Sequence, residues 1–244
     1  MRKKYEKKIN KTLILSMAMM AVCAVVAWLG ILFMGERQYY FTSLVIIVCA
    51  MMPFFISFEN RKPQAREIVI IAVLVAIGVA GRAAFFMVPN FKPVMAIVII
   101  TGVCFGAQSG FLTGTMTAFV SNFFFGQGVH TPWQMFGFGI VGFLAGLLFS
   151  NSRFKDNRLV LCAFGGVATF VLYGAIVDIS TVVAYTAEFS FGAYLSVLAS
   201  GALFNAIHAA ATVIFLYLFA RPMMEKLDRV KIKHGLITQD LFED

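Results

Sequence analysis

An all-α bundle of membrane-spanning helices is the fold class this sequence predicts, and three observations predict it. Apolar residues fill 60% of the 244 positions and charged residues only 13%, with a mean hydropathy of +0.86. A water-soluble domain of this length has no use for so much apolar surface, whereas helices in lipid do. The apolar residues also gather in runs approaching the roughly 20 that a spanning helix needs. Finally, Lys and Arg are sorted. On an eight-span reading, all of the 20 except Arg37, Arg82 and Lys92 fall in segments on one side, the pattern of cytoplasmic loops.

The spans run in order Thr12–Met34, Tyr40–Phe58, Glu67–Val88, Val94–Gln108, Gly110–Phe125, Trp133–Ser150, Leu159–Ala184 and Gly192–Ala220. The fourth and fifth are short and could form one long helix. Joining them gives seven spans and divides the positive charges almost evenly between the two sides, so two short helices with a turn near Ser109–Gly110 are favoured. Both ends are then cytoplasmic, and the loops after Val88, Phe125 and Ala184 face outward. No cleavable signal peptide is expected, because the first apolar run is too long and no small-residue cleavage site follows it.

The polar run Glu59-Asn60-Arg61-Lys62-Pro63-Gln64 divides the chain. Residues 1–60 form a basic segment and a two-helix hairpin, residues 61–222 a six-helix core, and residues 223–244 a cytoplasmic tail. The net charge of +8 could suggest nucleic acid, but the basic cluster RKKYEKKINK opens a membrane chain. There it serves orientation and contact with anionic lipid. From Arg221-Pro222 onward, alternating apolar and basic residues predict a short surface helix.

Ala72, Ala76 and Ala80 recur every four residues and lie on one stripe of one helix. Small stripes let backbones approach closely, which drives helix association in lipid. Such a stripe serves either packing inside the bundle or contact with another protein. Gly102, Gly106, Gly110 and Gly114 share the spacing and are read as tight packing between the two short helices.

Polar groups in apolar spans are costly and are retained for pairing or function. Arg82 and Asp178 sit at similar depth near the outer ends of their helices, as an ion pair, as ligand contacts or as both. Asn122, Gln127, His130, Trp133 and Gln134 cluster where the fifth span becomes the sixth. Gly126 and Gly128 free the backbone there, and Thr131-Pro132 can open the next helix with proline in its first turn. Pro89, Asn90, Lys92 and Pro93 form a second stiff outward loop, and Tyr185 with Glu188 a third. Asn205 and His208 share a deeper face, as a buried satisfied pair or as a pocket floor. Three outer loops over a helical bundle make a lidded cavity.

Enzyme and metal motifs are not found. Cys23, Cys49, Cys104 and Cys162 lie in apolar runs without CxxC pairing and read as small hydrophobes. Ser109 and His208 fall at different depths, HExxH is missing, and no Gly-Lys dipeptide exists to make a phosphate-binding loop. Neither an enzyme nor a bound metal or covalent cofactor is expected.

Several strings carry a resemblance: Ala72-xxx-Ala76-xxx-Ala80 followed by Gly81-Arg82, Phe91-Lys92-Pro93, Ser121-Asn122-Phe123-Phe124-Phe125-Gly126-Gln127-Gly128, and Thr131-Pro132-Trp133-Gln134-Met135-Phe136. The block from Ala65 to Gly146 resembles the substrate-binding S component of energy-coupling factor (ECF) vitamin transporters, and is most similar to the cobalamin-type branch. The resemblance implies a subunit of the bacterial plasma membrane that captures a vitamin or related micronutrient outside. It would then dock through its alanine helix on a transmembrane coupling subunit that carries two ATPases, the only users of ATP. By this resemblance Ala72, Ala76 and Ala80 face the coupling subunit. The loops at Asn90–Pro93, Gln127–Trp133 and Tyr185–Phe191 line and gate the pocket. A corrinoid would require a wide outer cavity. The hairpin Met1–Phe58 departs from six-helix members, as a peripheral addition or a fixed anchor. The alternatives are a non-transporting structural or assembly membrane protein, and an S component for a different vitamin or precursor.

Overall fold

A computed structural model describes residues 39–185, 190–233 and 235. The first expected span, Arg37, Cys23 and Glu188 lie outside them, as does the end of the tail. All the regular structure among the described residues is helical: α1 (Tyr39–Asn60), α2 (Ala65–Ala84), α3 (Val94–Phe105), α4 (Ala107–Phe125), α5 (His130–Phe149), α6 (Arg158–Tyr185) and α7 (Phe191–Lys233). Among these, α2, α5, α6 and α7 are long and apolar enough to cross a membrane. With 12 residues, α3 spans only about 18 Å, well short of a bilayer core of roughly 30 Å. The low hydropathy of α4 has a different cause. It is wrapped by neighbours, and Ser109, Thr113, Thr115, Thr117, Ser121 and Asn122 are all fully buried along it.

The two short helices are separate, but the break falls at Gly106 rather than at Ser109–Gly110. Gly106 takes φ 88°, a left-handed conformation that costs glycine little and other residues more. Ser109 is already helical, and its hydroxyl donates to Glu67 Oε1 at 3.0 Å while accepting from Arg61 Nη2 at 2.9 Å. Arg61 also pairs directly with Glu67 and donates to the Phe105 carbonyl at 3.5 Å. The start of α2 is thereby tied to the α3–α4 turn at the end expected to be cytoplasmic.

Glycines bring three backbones together. A Cβ at Gly102 would lie 2.2 Å from the Gly142 carbonyl oxygen, one at Gly110 2.3 Å from the same atom, and one at Gly146 2.4 Å from the Ala107 nitrogen. The expected packing of α3 on α4 is therefore a three-way junction with α5. Every residue of α3 is buried there.

Asn157 caps α6, its side-chain oxygen accepting from the Leu159 and Val160 amides at 3.1 and 3.2 Å, which satisfies two otherwise unpaired donors. Mid-helix, Ala168–Tyr173 widens to a π-helical turn. Rather than ending near Ala220 and restarting as a separate surface helix, α7 continues through Pro222 for 43 residues. Lys231, near its end, is buried, bonded to Asp228 at 3.2 Å and set over the Phe105 ring at 5.0 Å. The second hairpin helix, α1, lies on α4 and α5. Phe54 stacks on Phe111 with ring centres 4.2 Å apart and meets Phe143 edge-on at 5.0 Å.

Candidate functional site

Two features stand on α2, one on its face and one at its end. Ile71, Leu74, Val75 and Gly78 turn inward and are buried, whereas Ala72, Ala76 and Ala80 are exposed. Beside them Val69 is 62% and Val73 53% exposed. Among the described residues no helix covers this stripe. An apolar groove of about 610 Å³ continues the face, running between α2, α3 and α7 past Ala80, Gly81, Ile97, Phe215 and Pro222.

At the C-terminal end of α2, Arg82 projects into the bundle. It donates to Ser121 Oγ at 2.6 Å and to Asn122 Oδ1 at 2.7 Å, with its guanidinium 5.1 Å from the Phe125 ring centre. Asn122 is fully buried and spends its amide hydrogens on Thr131 Oγ1 at 3.1 Å and Gln134 Oε1 at 3.0 Å. Thr131 also accepts from the Gly128 amide at 3.1 Å. Asn122 thus braces Arg82 from one side and the start of α5 from the other. Ser121, not singled out in the sequence, completes the brace.

Arg82 opens onto a void of about 50 Å³ shared with Asn90, Lys92, Val94, Gln134, Phe138, Tyr173 and His208. Asn90 reaches it from a left-handed backbone conformation, φ 54°, which asparagine tolerates better than most residues. Lys92 follows from the same loop between Pro89 and Pro93. Its ammonium is held below the usual lysine range, first by burial and second by the charge of Arg82. Phe138 stacks on Tyr173 at 4.7 Å, and His208 meets Tyr173 edge-on at 5.0 Å, forming the aromatic floor.

Not every expected residue joins this group. Arg82 and Asp178 are not ion-paired. Asp178 instead accepts from Asn205 Nδ2 at 3.0 Å, which links α6 to α7. Hydropathy places a residue by depth along a helix, not by angle around it, and Asp178 does not line the void that Arg82 enters. Gln127 is exposed and bonds the Phe119 carbonyl at 3.2 Å, and His130 is exposed at the helix start. Both stand outside the void, as does Trp133, which is buried with its indole N–H unpartnered among the described residues. His208 lines the void and Asn205 does not. Phe138 and Tyr173 went unnoticed. A single tyrosine in the apolar run before Gly174 was the available signal, since a phenol so placed needs a polar destination.

The arrangement contains two cations, amide groups and an aromatic floor, a set suited to holding a polar small molecule. Comparison with known proteins identifies the family. The family model for the ECF transporter, substrate-specific component, matches residues 66–221. Among curated proteins, the chain is 33% identical over 121 residues to a UPF0397 protein of Vibrio atlanticus, covering 47% of this chain and 66% of that protein. It is 32% identical over 120 residues to one from Aliivibrio fischeri strain MJ11, covering 43% and 65%, and 36% identical over 89 residues to one from Aliivibrio salmonicida, covering 34% and 48%. The chain therefore spans less than two thirds of the length of these relatives. No solved structure matches it.

Proposed function

Because this chain belongs to the ECF transporter substrate-specific component family, we propose that it is the ligand-capturing subunit of a bacterial plasma-membrane importer. In this reading it takes up a vitamin or related micronutrient at the Arg82 end. It hands the ligand inward by reorienting against a membrane coupling subunit, with ATP hydrolysed by two partner ATPases. The observation that carries the proposal is the division of α2. Among the described residues its alanine face is left bare, while its last turn supplies Arg82 to a half-enclosed polar void. A structural protein of the bundle has reason to cover the first and no reason to build the second.

Ala72, Ala76 and Ala80 are the proposed contact with the coupling subunit, since small side chains permit close backbone approach in lipid. Among the described residues, α1 packs on α4 and α5, and it leaves the alanine stripe open. In this reading that hairpin helix travels with the core and does not obstruct docking.

Cobalamin or a related corrinoid is the ligand proposed from the sequence resemblance. The void of about 50 Å³ is far smaller than the roughly 300–1,000 Å³ of most ligand pockets. A corrinoid therefore requires the loops around residues 85–93 and 126–129 to part on binding; a different vitamin or precursor of smaller size requires less. The test is purification in mild detergent, together with ATP-dependent uptake in vesicles containing the coupling subunit and ATPases. About one small molecule per chain, with visible absorbance for a corrinoid, is expected. A chain that retains none and supports no uptake is a structural or assembly protein instead.

A further inference from the structure

Among the described residues, the two cations at the Arg82 end have no acidic partner. Arg82 and Lys92 line the same small void, and the ion pairs among the described residues involve neither of them. Arg82 is held by neutral acceptors, Ser121 Oγ and Asn122 Oδ1. Asp178, the acidic residue at comparable depth, is bonded to Asn205. Two cations facing one half-enclosed space repel each other and gain when an anion enters between them. A guanidinium braced from behind is already oriented for a carboxylate or phosphate, toward which its remaining donors make charge-assisted bonds. Lys92, on a loop stiffened by Pro89 and Pro93, supplies a second donor that has no hydrogen bond to give up among the described residues.

We propose that the captured molecule carries an anionic group, a carboxylate or a phosphate, that seats between Arg82 and Lys92, with its apolar part against Phe138 and Tyr173. This rests on the transport reading and narrows it to acidic micronutrients or phosphorylated precursors. It also separates the residues by task. Lys92 touches the anion, Arg82 touches it and is positioned by Asn122, and His208 borders the floor.

The test uses the full chain in lipid nanodiscs, incubated with a filtered cell extract, washed and denatured, with released molecules identified by mass spectrometry. Lys92→Gln is the informative variant, because Lys92 makes no hydrogen bond or ion pair among the described residues; Lys92→Arg keeps the charge. The expected result is about one molecule per chain bearing a carboxylate or phosphate. When re-added in pure form, that molecule should bind Lys92→Gln at least tenfold more weakly and Lys92→Arg within threefold of the unsubstituted chain. The released mass distinguishes carboxylate from phosphate. Release of a molecule with no acidic group, or equal affinity in Lys92→Gln, overturns the anion site and leaves the transport reading intact. A chain that retains nothing from the extract overturns both.

Discussion

Two stripes of small residues with the same four-residue spacing meet opposite fates in this molecule. Gly102, Gly110 and Gly114 lie against the backbone of α5, so close that a methyl group at any of them would sit 2.2–2.5 Å from another helix's main chain. Ala72, Ala76 and Ala80 face outward, and among the described residues no helix lies upon them. The difference is one carbon and its cost. Glycine inside a helix costs roughly 1 kcal/mol relative to alanine, so a glycine stripe persists where another backbone offsets that cost. Alanine carries no such cost, and an alanine stripe keeps a face flat without any neighbour in the fold. The first pattern therefore belongs to internal packing, and the second is available to a partner.

The comparison can be broken most severely at the junction. Gly142→Val places a Cβ 2.4 Å from the Gly110 carbonyl oxygen and 2.7 Å from the buried Val98 Cγ1, so the clash is with main chain on one side and a packed core side chain on the other. A destabilisation of more than about 4 kcal/mol is expected, seen as loss of monodisperse protein in detergent. An intermediate case sharpens the contrast within α2 itself. On its inner side, a Cβ at Gly78 meets the Thr117 methyl at 2.8 Å, a side chain rather than a backbone. Gly78→Ala should cost about 1–2 kcal/mol through crowding, partly offset by better helix propensity, and lower the melting temperature by a few degrees. Least affected is Ala76→Trp. On an exposed face it should change stability by no more than about 0.5 kcal/mol, although the side chain added is the largest of the three. If the tryptophan proves as damaging as the valine, the alanine stripe is internal after all.

How far these features could be read beforehand depended on what kind of signal each left. Helical class and the separation of α3 from α4 were legible, because hydropathy and the sorting of Lys and Arg both reflect the membrane. The exact turn was not. Ser109 looked like loop chemistry, yet its hydroxyl is consumed by Arg61 and Glu67 inside the fold, and Gly106 makes the reversal. At the site, Arg82, Asn90, Lys92, Gln134 and His208 were recognisable as polar groups in apolar surroundings, and they do share one void. Their pairing was not recognisable. Arg82 bonds Asn122, 40 positions away, and rotation about two helix axes decides that contact. Gln127 and His130 carry the same kind of side chain but end up exposed, since polarity near a helix end is equally well satisfied by water.

The proposed division of α2 into a docking face and a ligand-holding end is tested most directly by Ala76→Trp in a reconstituted system with the coupling subunit and ATPases. Ligand retained by the isolated chain and ATP-driven uptake into vesicles should be measured on the same preparation. Retention at the unsubstituted level with uptake abolished is the predicted result. Undiminished uptake, or loss of retention and uptake together, would contradict it.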